Sequence, residues 1–191
     1  HAAIGHLHTC TASHIATRLN HAIVTQRNAV DLNHAWELSP DTKLNTLLYW
    51  SKLGRDYWRQ SISARNADET VFNACDGSTN CMFGRNREFQ MLGVDSRISH
   101  EYSAMGIQNA LEFGVRLHTE SQINQMVAST SYAKSGGVIG HEENKANSLA
   151  IFAQNRFSIT NNIALIPGLR IESYNQSRNN VLNQTSGSAK N

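Results

Sequence analysis

Several residue groups in this chain are of types that bind or react, and the spacing of each limits what it can do. Cys75 and Cys81 bracket Asp76-Gly77-Ser78-Thr79-Asn80, a polar segment rich in turn formers. A disulfide closing this small loop is expected, as an oxidising compartment would favour. The pair stands too far apart for the usual zinc spacing, and no His or Cys partner follows closely. His6, His8 and Cys10, with His1, His14 and His21, are transition-metal ligand types, and His6 and His8 would share one side of an extended strand. They have no acidic partner and no second close pair, so no metal site is assigned. Ser135-Gly136-Gly137-Val138-Ile139-Gly140 opens no helix and so is no phosphate cradle, and His141-Glu142-Glu143 lacks the second His of a zinc hydrolase helix. No nucleophile motif is present. The residues point to a protein that is not an enzyme and needs no cofactor.

A second set of charges is more regular. Glu112, Arg116, Arg156, Arg170 and Glu172 all fall on the polar phase of an alternating pattern. Leu111, Phe113, Val115 and Leu117 alternate with Ala110, Glu112, Gly114, Arg116 and His118; Ile163, Leu165, Pro167, Leu169 and Ile171 alternate with Ala164, Ile166, Gly168, Arg170 and Glu172. A period of two with one apolar and one polar face is a strand. Similar stretches surround Val30 to Leu38, Leu44 to Trp50, Leu92 to Ile98 and Leu149 to Ala153. With their polar flanks they predict about six strands of roughly 9 to 14 residues, long against a usual mean of about 5 to 6.

The connections alternate too. Ser39-Pro40-Asp41-Thr42, Ser103-Ala104-Met105-Gly106 and Ser158-Ile159-Thr160-Asn161-Asn162 are tight and made of turn formers, whereas residues 56–86, 122–145 and 176–191 are long and polar. An antiparallel meander with its tight turns at one end and its long loops at the other is the layout of a transmembrane β-barrel. Trp36, Tyr49, Trp50, Tyr57, Trp58, Phe157 and Tyr174 fall near the expected strand ends, where aromatic rings suit a membrane interface. The charged phase would then line a polar lumen.

Composition is compatible with that class and excludes another. The 191 residues are 17% charged, against roughly 25% in ordinary soluble domains. The longest apolar run, Leu149 to Ala153, is five residues, far below the roughly 18 that a spanning helix needs. A helical membrane protein is excluded, while a barrel with alternating strands is not. A net charge of +2 gives no reason to expect nucleic acid as a partner.

Leu149-Ala150-Ile151-Phe152-Ala153-Gln154-Asn155-Arg156-Phe157, followed by Pro167-Gly168-Leu169-Arg170-Ile171-Glu172, resembles the barrel of TonB-dependent outer-membrane receptors. Arg55-Asp56-Tyr57-Trp58-Arg59-Gln60 resembles the subset related to ferric dicitrate receptors. The similarity runs from about residue 26 to residue 175. It divides the chain into an unassigned segment, 1–25, and a partial outer-membrane barrel, 26–191.

The resemblance implies a barrel of about 22 strands plugged by a separate domain, and hence that this chain is an interior piece of a longer one. It has no preceding plug and no TonB box, starts at His1 and ends at Asn191. The resemblance further implies uptake of a ferric chelate, siderophore or ferric citrate, with a TonB energy-transducing complex acting through the plug and outer-membrane lipid around the wall. Such chelates are often anionic, which makes Arg55, Arg59, Arg85, Arg87 and His118 candidate ligand-binding residues at the long-loop end. The same view makes Glu112, Arg116, Arg156, Arg170 and Glu172 lumenal ion-pairing groups. An outer-membrane porin or barrel enzyme, and a soluble β-barrel binding protein, are the alternatives.

Overall fold

The computed structural model describes residues 2–15, 22–60, 81–129, 133–183 and 185–190. Among these, the chain is all strand: β1 (Ala2–Ile15), β2 (Ala22–Ser39), β3 (Thr42–Gln60), β4 (Met82–Ala104), β5 (Ile107–Ser129), β6 (Gly137–Thr160), β7 (Ile163–Leu165), β8 (Gly168–Asn180) and β9 (Thr185–Lys190). They form one antiparallel sheet in the order β1-β2-β3-β4-β5-β6-β8-β9, with β7 also paired to β6. Among the described residues no helix is long and apolar enough to cross a membrane. The sheet begins earlier than the alternation suggests, because β1 pairs with β2 from Ala2↔Ala35 to Ile15↔Ala22.

Tight turns join the strands at one end. Pro40-Asp41 links β2 to β3, Met105-Gly106 links β4 to β5, and Asn161-Asn162 links β6 to β7. Met105 and Gly106 both have positive φ, at 55° and 77°, as a two-residue hairpin turn of the primed type requires to match the strand twist. At the third turn the Thr160 hydroxyl accepts from the backbone N–H groups of Asn162 and Ile163 at 3.3 and 3.1 Å. The last expected strand is broken at Ile166-Pro167 into β7 and β8, because proline has no N–H to give the ladder. Its carbonyl still accepts from Asn155 N at 3.0 Å.

The long strands run 18 to 24 residues, well past the expected 9 to 14. Much of what reads as loop, including 56–60, 82–86, 122–129 and 137–145, is strand. Alternation marks a strand only where its two sides meet different media, and here it fades where both sides are polar.

The register assigns every residue to a side. One row reads Leu32, Leu48, Val94, Leu117 and Leu149 across β2 to β6; the row toward the turns reads Trp36, Leu44, Ile98, Phe113, Ala153 and Leu169. These outward residues are apolar yet exposed: Leu48 is 46%, Leu117 50% and Leu92 52% accessible. An apolar band left uncovered by protein is what the outer wall of a membrane barrel presents. From Leu92 to Tyr102 it spans about 33 Å of strand, or about 23 Å of height at a tilt of about 45°, close to a bilayer's apolar thickness.

Of the aromatic residues expected at the interfaces, Trp36, Trp50 and Phe157 are on this side. Tyr49, Tyr57 and Tyr174 take the opposite phase and face inward, while Trp58 lies beyond the band and is buried. His100 stacks on Tyr102 at the turn end, adding rings that spacing alone does not single out.

Above the band, on the long-loop side, outward residues become charged, as in the Lys52 to Glu88 pair at 2.9 Å. Two small apolar clusters close this end, Trp58 with Met82 and Val127, and Cys81 with Phe83, Ala128 and Ile139.

Candidate functional site

Four of the five candidate ligand-binding residues converge at the long-loop end of β3 and β4. They share the inward phase, and the register sets Arg55 opposite Arg87, Tyr57 opposite Arg85, and Arg59 opposite Phe83. Phe83 is 5% exposed and anchors the group. The guanidinium carbons of Arg59 and Arg85 stand 5.3 and 5.8 Å from its ring centroid, within cation–π range. A buried ring thus holds two cations beside a third and a fourth.

Arg87 is the most connected of them. Its Nε donates to Asn124 Oδ1 at 3.1 Å, and Asn124 Nδ2 reaches Glu142 Oε2 at 3.5 Å. Arg178 donates to the other oxygen of Glu142. Burial, then the like charges of Arg55 and Arg85, push the Arg87 guanidinium below the usual arginine range, with Glu142 opposing them. Arg55 Nε is buried with no hydrogen-bond partner among the described residues. This end of β3 and β4 therefore carries concentrated positive charge and a donor with no acceptor among the described residues.

His118 is not part of this group. It pairs in register with Gly93, about 20 Å of strand below Arg87. There Tyr49 Oη and His118 Nδ1 are 2.7 Å apart, and Arg116 donates Nε and Nη2 to the same phenol oxygen at 3.3 and 3.2 Å. Glu120 lies 3.6 Å from His118 Nε2. Tyr49 lies directly over Gly93, where an added Cβ would meet the ring at 2.2 Å. Only glycine leaves the ring that space.

The other charged residues read from the sequence also face inward, nearer the turns. Arg170 and Glu172 pair along one strand at 3.1 Å, and Glu112 lies 3.7 Å from Arg97 and 3.5 Å from Gln154 Nε2. Arg97 in turn holds Asp95 at 2.7 Å. Arg116 and Arg156 make no ion pair among the described residues. Cys81 is 1% exposed and disulfide-bonded; Cys75, its expected partner, lies outside the described residues, as do the side chains of His6, His8 and Cys10. Among the described residues there is no group of three or more His, Cys, Asp or Glu able to hold a metal ion.

Tyr49, Asn124, Glu142 and Arg178 were not legible as site residues. Asn124, Glu142 and Arg178 sit where strands read as loop, and Tyr49 reads as an interface ring. Extending the polar phase two residues at a time from Glu112 past His118 and Glu120 would have reached Asn124.

The comparisons with known proteins bear on the fold. The family described as TonB dependent receptor-like, beta-barrel matches residues 11–191. Among solved structures, the ferric citrate transporter FecA in its unliganded form is similar with a TM-score of 0.74 at 14% identity, over 89% of this chain and 24% of that one. The ferric-catecholate import receptor Fiu from E. coli K12, in its closed form, has a TM-score of 0.63 at 15% identity, over 84% and 25%. The siderophore receptor PiuA from Acinetobacter baumannii has a TM-score of 0.57 at 10% identity, over 90% and 28%. At these identities the likeness is one of fold, and the chain spans about a quarter of each. No curated protein sequence matches the chain.

Proposed function

Because the chain belongs to the TonB dependent receptor-like β-barrel family, we propose that it is part of the wall of a receptor that imports a ferric chelate, with Arg55, Arg59, Arg85 and Arg87 facing the chelate at the external mouth. The family places it in the bacterial outer membrane, where the exposed Leu48, Leu92 and Leu117 side meets lipid. Uptake would be driven by a TonB complex acting through a plug domain. The similar structures are named for ferric citrate, ferric catecholate and siderophores, and citrate-type or catecholate-type ferric chelates are the cargo classes assigned here.

The observation that carries this reading is the unneutralised arginine group. The guanidiniums of Arg59 and Arg85 stand by the Phe83 ring with Arg55 and Arg87 next along the same strands, Glu142 is the carboxylate acting on Arg87, and Arg55 Nε has no acceptor among the described residues. Like charges held together raise the energy of the empty site. An anionic chelate lowers it by accepting charge-assisted hydrogen bonds, each stronger than a neutral one. Nothing in the arrangement supplies a nucleophile with a base, so the role assigned is binding and passage, without catalysis.

The test is Arg85→Gln with Arg87→Gln in the receptor that contains this chain, assayed by equilibrium binding of ferric citrate and of a ferric catecholate. Losing two charge-assisted bonds at about 1.5 kcal/mol each should weaken binding of the cognate chelate by roughly 100-fold. Unchanged affinity for both chelates would remove the arginine mouth from the account.

A further inference from the structure

Two buried oxygens on the outward side have no donor. Asn109 and Asn155 lie in the outward phase near the turns, where the register sets Asn109 between Tyr102 and Phe157 and Asn155 opposite Leu111. Asn109 is 4% exposed, and its Nδ2 donates to the Ile107 carbonyl at 2.9 Å. Asn155 donates Nδ2 to Tyr102 Oη at 3.2 Å. Both amides thus use an N–H, while both Oδ1 atoms are buried without a hydrogen-bond partner among the described residues. A buried acceptor left unpaired is costly, the more so in apolar surroundings.

The side chains around this pair favour one kind of donor. His100 is exposed, with Thr42 Oγ1 2.9 Å from its Nδ1, and stacks on Tyr102 with 5.9 Å between ring centroids and 8° between planes. Aromatic faces attract cations. From Leu92 to the turns, the outward phase of β3 to β6 holds no Lys, Arg, Asp or Glu. A purely anionic headgroup therefore finds no lysine or arginine there, whereas a cationic donor finds two carbonyls. The row of Tyr102, Asn109 and Phe157 closes the apolar band at the turn end, the depth at which lipid headgroups begin.

We infer that this cluster binds the ethanolamine headgroup of a phospholipid in the leaflet at the turn end. The inference rests on the outward side meeting lipid and is independent of the cargo. The primary ammonium donates to Asn109 Oδ1 and Asn155 Oδ1 and lies against the Tyr102 ring, so its donors meet two acceptors and a π face. Tyr102 and Phe157, the part-buried rings that flank Asn109, turn aside to admit it. A choline headgroup carries the same charge but has no N–H, so it gains the ring face alone.

The experiment uses the receptor that contains this chain, purified in detergent and given equal amounts of phosphatidylethanolamine and phosphatidylcholine with the same acyl chains; retained lipid is counted by native mass spectrometry. Wild type is expected to hold the ethanolamine lipid about 10-fold more tightly, as charge-assisted hydrogen bonds would give. Asn109→Leu with Asn155→Leu should bring the ratio within about 2-fold without lowering the unfolding temperature, since both substitutions place apolar groups on a lipid-facing side. Asn155→Leu alone should bring it to about 3-fold, which decides the matter should the double variant fail to fold. Equal retention in wild type would leave interfacial water as the donor and overturn the site, as would a ratio that either variant leaves at the wild-type value. The lipid-facing side is tested separately with Leu117→Trp, whose added emission a brominated-acyl lipid should quench whichever headgroup it carries. Quenching without headgroup preference sinks the site alone, and no quenching sinks the lipid-facing reading with it.

Discussion

The two halves of β4 follow opposite rules about the same kind of side chain. Toward the turns, Leu92, Val94 and Ile98 point outward among other apolar residues, and Leu92 is 52% accessible. Toward the loops, Met82 points outward and is 0% exposed, covered by Trp58 and Val127. One strand thus meets two solvents. In a membrane barrel apolar groups that face lipid need no covering, whereas those that face water must bury one another, and the two halves of β4 follow these two rules. The charged residues mark the same boundary, since outward ion pairing with Lys52 and Glu88 begins above Leu92.

The largest effect that sharpens this contrast is at Trp58. Trp58→Ala empties a packed position, so a loss of about 3 kcal/mol or more is expected in denaturant unfolding of the folded receptor. A loss under about 1 kcal/mol would mean that the upper half is not packed as a water-facing cluster. Next comes a charge placed on each side of the boundary. Leu117→Arg should cost about 2 to 4 kcal/mol in folding into lipid vesicles, and Ser121→Arg, four residues higher on the same outward phase, about 1 kcal/mol or less. Equal costs at the two positions would erase the boundary. The smallest effect is at Lys52, whose side chain and that of Glu88 are 42% and 43% exposed. Lys52→Gln should change stability by less than about 1 kcal/mol, and less again in high salt. A change of several kcal/mol in the same unfolding assay would place this pair inside the apolar layer.

How much could be read beforehand follows from the same boundary. In the band one side is apolar and the other polar, so the alternation is strict and Leu111 to Leu117 reads as a strand at sight. Above it the polar stretch Ser121 to Gln125 faces water on both sides and reads as loop, although it is part of β5. The tight turns were visible because their chemistry is local, as with Met105-Gly106 at positive φ. Arg55, Arg59, Arg85 and Arg87 were visible as cations near strand ends. That Arg59 and Arg85 meet at Phe83 and Arg55 lies opposite Arg87 was not, because residues 61 to 80 separate the two segments and spacing says nothing across such a gap.

The sequence by itself determined which residues share a side, because the period of two in a strand follows from backbone geometry alone. It also determined where the chain reverses tightly, and that no helix spans a membrane. Only the tertiary structure decided which inward residues meet. Sliding one strand past its neighbour by two residues keeps every side chain on its own side and every apolar residue facing lipid, so the pattern cannot choose between such registers. The choice is made by contacts between strands, such as Tyr49 lying over Gly93 and the hairpin turn at Met105-Gly106. The register they fix sets Arg55 opposite Arg87 and brings Tyr49 within hydrogen-bonding distance of His118.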